Sequence, residues 1–368
     1  MKNIFFICLC ALFAFTGCAD DDDDLLTGGN VDIDLLPDSK PNDVVNTNVF
    51  DIINLNYPGL EKVKEFYETG EYYYAANALL EYYRTRTNVT NPNLSLINVT
   101  ISEADQTKAD YALEDYRFHV NNFYEDQETL KPYSLKKDGT INWTFSPEGA
   151  SDEYQKQLHR HQWFIPQAKA YRISGNEKYI QSWIEVYNNW IDQNPKPESG
   201  TNTTSWWQLQ VATRINDQVQ LLEYFKNSIN FTPEWLTTFL VEFAEQADFL
   251  VDYPYESGGN ILISQANALA TAGTLMPEFK NAEKWMETGY QILSEEVQNQ
   301  IMSDGWHKEM SLHYHISIVA DFYEAMKLAE ANQLSSKLPS NFTEPLRKAA
   351  EVVMHFTYPN YFSKGSDN

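Results

Sequence analysis

Between residues 153 and 193, two apolar stripes of helical period are separated by a three-residue turn. This constrains the fold more than any other feature of the chain. Glu153 to about Ile173 reads as a helix with a kink near Pro166. Ser174-Gly175-Asn176 reads as a turn. Glu177 to Gln193 then carries Tyr179, Trp183, Val186, Tyr187, Trp190 and Ile191 on one face of a second helix. A short turn between paired helices makes an αα-hairpin, and Pro195 and Pro197 end it.

The same pattern covers the chain from about residue 50. Helices are expected at Leu60 to Thr69, Tyr72 to about Thr85, Ser102 to about Val120 and Trp206 to Phe225. Others are expected at Thr232 to about Val251, Ile261 to about Ala272, Lys280 to Met302, Tyr314 to about Ala331 and Thr343 to about Phe356. Ser102-Glu103-Ala104-Asp105 has the form of a capping box, and Thr232-Pro233-Glu234 combines an N-cap, a first-turn proline and an acid. Tyr124 to about Glu148 is a long loop with Pro132, Asp138-Gly139 and Pro147. No run of alternating strands follows residue 50. The chain therefore reads as all-α, with antiparallel hairpins arranged as an α/α toroid or a solenoid. The lack of a fixed sequence period favours the toroid.

The first residues bear on compartment. Lys2 precedes an apolar run, Ile4 to Phe15, that is too short to span a membrane. Phe15-Thr16-Gly17-Cys18 then looks like a bacterial lipoprotein signal. This predicts a signal peptide over 1–17 and lipidation of Cys18. Cys8 and Cys10 would leave with the signal, so neither a disulfide nor a cysteine metal site is expected. Residues 18–48 hold the acidic run Asp20–Asp24, Gly28-Gly29, Pro37 and Pro41, and read as an acidic tether. Residues 49–368 form the toroid domain. The expected location is the periplasm or the cell surface, with the lipid in the outer or inner membrane.

The formal charge of −25 argues against a nucleic-acid partner, and a polyanionic ligand would need a local basic cleft. Aromatic residues make up 14%, which suits helix packing or a carbohydrate groove.

Asp304 to His315 concentrates donors and acceptors where a loop enters a helix, and holds three of the seven histidines. Gly258-Gly259-Asn260 precedes a buried-looking helix, so Asn260 is either an N-cap or a group beside an anion-favouring helix end. Arg214 is a candidate for holding a carboxylate or sulfate, or else a surface ion pair. Gln208 lies on the same helix without sharing its face. His159-Arg160-His161 offers polar tips on a helix, with 159 and 161 pointing apart. His313 and His315 are likewise two apart. With no metal-binding spacing, neither a metal nor another cofactor is expected. Glu309 is a candidate glycosidase carboxylate without an obvious partner.

Leu158-His159-Arg160-His161-Gln162-Trp163-Phe164, Gly258-Gly259-Asn260, Asp304 to His315 and, more modestly, Asn54 to Leu60 closely resemble the heparinase III-type heparan-sulfate lyases, polysaccharide lyase family 12. The similarity spans essentially the whole chain. It implies an incomplete α/α toroid followed by a C-terminal antiparallel β-sandwich, which is absent before the chain ends at Asn368. It also implies β-elimination at a uronic acid of heparan sulfate. Asn260 would neutralise the uronate carboxylate, and Tyr314 would accept or donate the proton. The family's histidine lies in the sandwich and has no counterpart here. Arg214, Gln208, Arg160 and His161, with His313 and His315 beside Tyr314, stand as candidate substrate contacts. Two other readings remain: a glycan-binding surface lipoprotein without catalysis, and a toroid hydrolase acting on unsaturated uronides.

Overall fold

A computed structural model describes residues 40–120, 125–198 and 203–357. The helices begin with α1 (Val49–Ile52), α2 (Glu61–Glu68), α3 (Tyr72–Thr85) and α4 (Glu103–Tyr111). Four short strands follow, β1 (Glu125–Asp126), β2 (Lys131–Pro132), β3 (Lys136–Lys137) and β4 (Thr140–Ile141). Then come α5 (Glu153–Leu158), α6 (Phe164–Ser174), α7 (Lys178–Gln193), α8 (Gln208–Phe225), α9 (Pro233–Asp252) and α10 (Gly259–Leu275). The last are α11 (Ala282–Gln300), α12 (Leu312–Ala331) and α13 (Thr343–His355).

Helices α4, α6, α8, α10 and α12 form one layer, each packed on the next. Helices α7, α9, α11 and α13 cover it, each against a helix of its own hairpin. Each hairpin thus gives one helix to each layer, which is the toroid arrangement. Because the hairpins are antiparallel, α8, α10 and α12 run parallel, and their N-terminal ends share one edge. Contacts at both ends agree with this. Gln208, which opens α8, donates to the Tyr253 carbonyl just before α10 (3.0 Å), while Asn332 at the end of α12 meets Thr90 just beyond α3 (2.8 Å).

The packing follows from sequence. Thr232 Oγ1 accepts the Trp235 N–H (3.3 Å) and Pro233 opens α9. The buried face of α9 then places Trp235 and Phe239 against Trp183 of α7, with ring centroids 5.0 and 5.6 Å apart. Burying one such ring contributes on the order of 2–3 kcal/mol. Helices α10 and α11 approach more closely still. A Cβ on Gly289 would overlap the backbone of Ala270, so any side chain there would force the two helices apart.

Several expected boundaries moved. The helix expected over 153–173 is two helices, broken at 159–163 and not at Pro166. That proline sits in the first turn of α6, where its missing N–H leaves no helical bond unmade. The helix capped by Ser102 ends at Tyr111, where the Leu113 and Glu114 N–H groups donate to the Asp110 and Tyr111 carbonyls in tighter turns, and left-handed Asp115 and Tyr116 (φ 51 and 55°) keep it from resuming. Its cap is present, with the Asp105 N–H donating to Ser102 Oγ (3.0 Å). Helix α10 is longer than expected and begins at Gly259. The long loop holds two small antiparallel hairpins, β1–β2 and β3–β4, the second turned by left-handed Asp138 and Gly139.

The packed body also starts before residue 49. Lys40 Nζ lies 2.6 Å from Glu234, the Asn42 side chain donates to the Gly70 carbonyl (2.7 Å), and Val45 is buried. The expected signal peptide, Cys18 and the acidic run lie outside the described residues. Among the described residues no helix is long and apolar enough to cross a membrane, and no cluster of three or more histidine, cysteine or acidic side chains is arranged to hold a metal ion.

Candidate active site

The N-terminal turns of α10 and α12 lie side by side. Gly258 has φ 69° and ψ −147°, and Gly259 has φ 72°. Both conformations are open mainly to glycine. A Cβ on Gly259 would overlap Glu309 Oε1, and the same oxygen accepts the Asn260 backbone N–H (3.0 Å). Glu309 therefore serves as the anion at the positive end of α10. Asn260 is not the N-cap, which is Gly258, and the anion at this helix end is Glu309. The Asn260 N–H is already taken, which leaves the Asn260 side chain, partly buried, as the group that can meet a ligand.

Met310, with φ 58°, turns the chain from Glu309 into α12, and Ser311 Oγ accepts the Tyr314 N–H (3.3 Å). His313 and Tyr314 are exposed at this turn, with ring centroids 5.9 Å apart. Lys308 Nζ would stand 3.7 Å from a Cβ on Gly258, so a flexible cation lies beside the two glycines. Along the same edge, Trp207 meets Tyr255 at 6.4 Å, and Lys156 lies over Trp207 at 5.1 Å. The structure thus brings Asn260, Lys308, His313 and Tyr314 to neighbouring first turns, next to an aromatic pair.

Other expected contacts are absorbed by the scaffold. His315 is fully buried; its Nδ1 accepts the His307 N–H (3.1 Å) and its Nε2 donates to the Ala349 carbonyl (2.8 Å). Burial holds the pKa of both His307 and His315 below the usual histidine value. His315 is therefore a neutral strut, and the reading of it as a substrate contact is corrected. Arg214 is also buried. Its Nε donates to Gln246 Oε1 (2.7 Å), and its Nη1 donates to the carbonyls of His159 (2.8 Å) and Ser205 (2.8 Å). The guanidinium lies over Trp190 at 4.4 Å, and burial lowers its pKa to about 10. It is neither a ligand arginine nor a surface ion pair.

His159 and His161 are not on a helix and do not point apart. Both enter one aromatic cluster, where Trp190 Nε1 donates to His159 Nδ1 (3.1 Å) and Trp190 meets the His161 ring edge-on at 5.1 Å. Burial, reinforced by Arg214, pushes the pKa of His159 down to about 3 and that of His161 well below its usual value. Arg160 pairs with Glu153 (3.0 Å). Gln208 is buried and holds the start of α8 to the segment before α10. Arg160, His161, Arg214, Asp217 and Gln218 enclose a cavity of about 10 Å³, room for one water at most. His161, Arg214 and Gln218 are buried within the wall, and Arg160 and Asp217 are partly buried beside them.

Two further roles were not legible in the sequence, one of them that of Glu309, which the sequence offers only as a candidate glycosidase carboxylate. Glu309 caps α10 from 49 residues away. Asp321 accepts from Ser264 Oγ (2.7 Å) and Asn267 Nδ2 (3.3 Å), joining α12 to α10, and burial lifts its pKa to about 6. The signal was present as spacing: Asn260, Ser264 and Asn267 fall at i, i+4 and i+7, and Tyr314 and Asp321 at i and i+7.

Comparisons with known proteins agree with this architecture. The family described as Heparinase II/III N-terminus matches residues 49–365. Over 368 residues the chain is 90% identical to a heparin-sulfate lyase of Bacteroides thetaiotaomicron, covering all of this chain and 52% of that protein. A crystal structure of heparinase III matches with a TM-score of 0.84 and 89% identity, over 88% of this chain and 49% of that one. A heparan sulfate lyase from Pedobacter heparinus matches with a TM-score of 0.71 and 30% identity, over 87% of this chain and 50% of that one. The chain therefore spans about half the length of the relatives it matches. Its fold is their N-terminal toroid, and the chain belongs to the heparinase II/III N-terminus family.

Proposed function

We propose that this chain is the helical part of a polysaccharide lyase that cleaves heparan sulfate by β-elimination at the uronic acid. The observation that carries the reading is the shared edge of α10 and α12. There Asn260 and Tyr314 occupy adjacent first turns in a chain 90% identical to a heparin-sulfate lyase.

The chemistry asks for what this edge offers. The C5 proton of a uronate is a poor acid, because removing it adds charge next to a carboxylate. The Asn260 amide would donate to that carboxylate as charge builds. Tyr314 would take the C5 proton or return one to the departing O4. The C5–H electrons form the C4–C5 double bond, the C4–O4 bond breaks, and no water is consumed. The resemblance assigns the remaining proton-transfer group to a histidine in the half of the relatives that this chain does not span. Residues 1–368 alone are therefore expected to bind heparan sulfate with little turnover. The reading carries a location with it: cleavage of residues 1–17, lipidation of Cys18, and a membrane anchor facing the periplasm or the cell surface.

The test uses the full-length protein with heparan sulfate, read as the ultraviolet absorbance of an unsaturated uronate. Absorbance is expected to rise. Asn260→Ala and Tyr314→Phe are each expected to lower turnover about 100-fold or more, with affinity nearly unchanged. No rise with any uronate polymer would sink the reading. Unimpaired turnover in both variants would sink the assigned roles. A fall in the absorbance of an unsaturated uronide would point to the hydrolase instead.

A further inference from the structure

We propose that Glu309 is a positioning residue that sets Asn260 for its substrate. The inference rests on the role given to Asn260 above and adds a residue to it. The first peptide of α10 is held at both ends by the segment that leads from α11 into α12. Gln300 Nε2 donates to the Gly259 carbonyl (3.2 Å), and the Asn260 N–H donates to Glu309 Oε1 (3.0 Å). Gln300 is itself held by buried His307, with Nε2 and Oε1 2.8 Å apart, and that His307 nitrogen lies 3.9 Å from Glu309 Oε1. Gly259 has no side chain, and the carboxylate fills the space a Cβ would need. Left-handed Met310 and the Ser311 cap then carry the chain from Glu309 to Tyr314 in five residues. One short segment therefore fixes the peptide of Asn260 and also presents Tyr314.

Charge separates this role from ligand binding. A carboxylate at this edge repels a sulfated or uronate chain, so it weakens capture of the substrate. Its effect on the helix end is the opposite: it neutralises the positive end of α10 and fixes the backbone N–H next to the Cα that carries the Asn260 side chain. Orientation of a group that acts on charge developing in the transition state bears on kcat more than on KM, and small displacements are costly.

The experiment compares Glu309→Ala and Glu309→Gln in the full-length protein, each with Asn260 intact and with Asn260→Ala. Gln keeps a carbonyl acceptor for the Asn260 N–H, whereas Ala removes it. Glu309→Ala is expected to lower kcat about 10- to 100-fold with KM unchanged or lower, and Glu309→Gln to restore most of it. In the Asn260→Ala background, Glu309→Ala should cost less than about twofold more, because a residue acting through Asn260 has nothing left to position. Backbone hydrogen exchange at Asn260, read without substrate, should quicken about tenfold or more in Glu309→Ala but not in Glu309→Gln. Unchanged exchange at Asn260, an additive loss in the Asn260→Ala background, or a raised KM at constant kcat would each overturn the proposal. If the wild-type protein cleaves no uronate polymer, the lyase reading falls by that result, and exchange at Asn260 still decides whether the tie exists.

Discussion

Replacing Arg214 should unfold the wall of the toroid, not weaken a ligand contact. Its guanidinium makes three hydrogen bonds, to Gln246 Oε1 (2.7 Å), the His159 carbonyl (2.8 Å) and the Ser205 carbonyl (2.8 Å). It also lies between Trp190 and Trp206, at 4.4 and 5.7 Å. Hydrogen bonds to a charged group contribute about 1.5–3 kcal/mol each, and truncation strands three buried acceptors while emptying the space of the stem. Burying the charge opposes this, as the lowering of its pKa to about 10 shows. The net loss on Arg214→Ala is therefore expected at about 4–6 kcal/mol, a large share of the ~5–15 kcal/mol that stabilises a typical domain. Arg214→Lys keeps the charge but not the planar fork, and should recover less than half. Urea unfolding followed by tryptophan fluorescence measures both. An unmoved midpoint in Arg214→Ala together with weakened heparan sulfate binding would refute this reasoning and return Arg214 to the ligand.

Two more predictions concern buried charge. Burial lifts the Asp217 carboxyl to about 7, so native protein keeps a proton that unfolded chain releases near pH 4. Its stabilising share is complete below about pH 4 and is lost as pH rises through about 7. Asp217→Asn should therefore raise the melting temperature relative to wild type at about pH 8 and leave it nearly unchanged at about pH 4. His159, held down at about 3, has the opposite slope between about pH 3 and 6.5, so the difference between the two proteins is the quantity to read. At the opposite end of α10, buried Glu278 accepts from Arg86 Nη1 (2.9 Å) and Tyr82 OH (2.7 Å). Glu278→Ala leaves the Arg86 charge without its main partner and should cost about 3–5 kcal/mol in urea unfolding. Turnover per folded full-length molecule should stay unchanged, since α10 separates this pair from Asn260 by roughly 25 Å.

Local chemistry made much of this legible. The start of α9 could be read because Thr232, Pro233 and Glu234 each satisfy a need of a helix end. The α6–α7 hairpin could be read because its turn is short and its stripe broad. Asp304 to His315 could be read as a loop entering a helix because of its turn residues. What could not be read depends on which surfaces meet. Pro166 suits a helix interior poorly but a first turn well, and only the break at 159–163 decides between them. His159, His161, His315 and Arg214 are polar residues that usually seek water. Here carbonyls and ring faces from distant segments take up most of their polar atoms in the interior, with His161 Nε2 and Arg214 Nη2 left without a hydrogen-bond partner, and no spacing along the chain reports that. Glu309 acts on a residue 49 positions away, so its role exists only once α10 and α12 are neighbours.

The acidic composition and the proposed acidic substrate are reconciled by where the charges lie. A chain with formal charge −25 attracts a polyanion only through a local exception. On the proposed function that exception is the edge of α10 and α12, where Lys308 stands beside Gly258. Carboxyls sit deeper on α12. Asp321 lies seven residues past Tyr314, about 10 Å along the axis, and its hydroxyl and amide donors come from α10. Glu324 lies one turn further, and burial raises its pKa as well. On the proposed function, a sulfated chain would be drawn to the rim and opposed below it. It should lie across the first turns, where a uronate can reach both Asn260 and Tyr314, and not thread inward between the helices. Glu309 stands at that rim, and its charge is turned onto the end of α10. Its carboxylate, engaged by the Asn260 N–H, thus adds less to the repulsion of an acidic ligand than a free surface acid would.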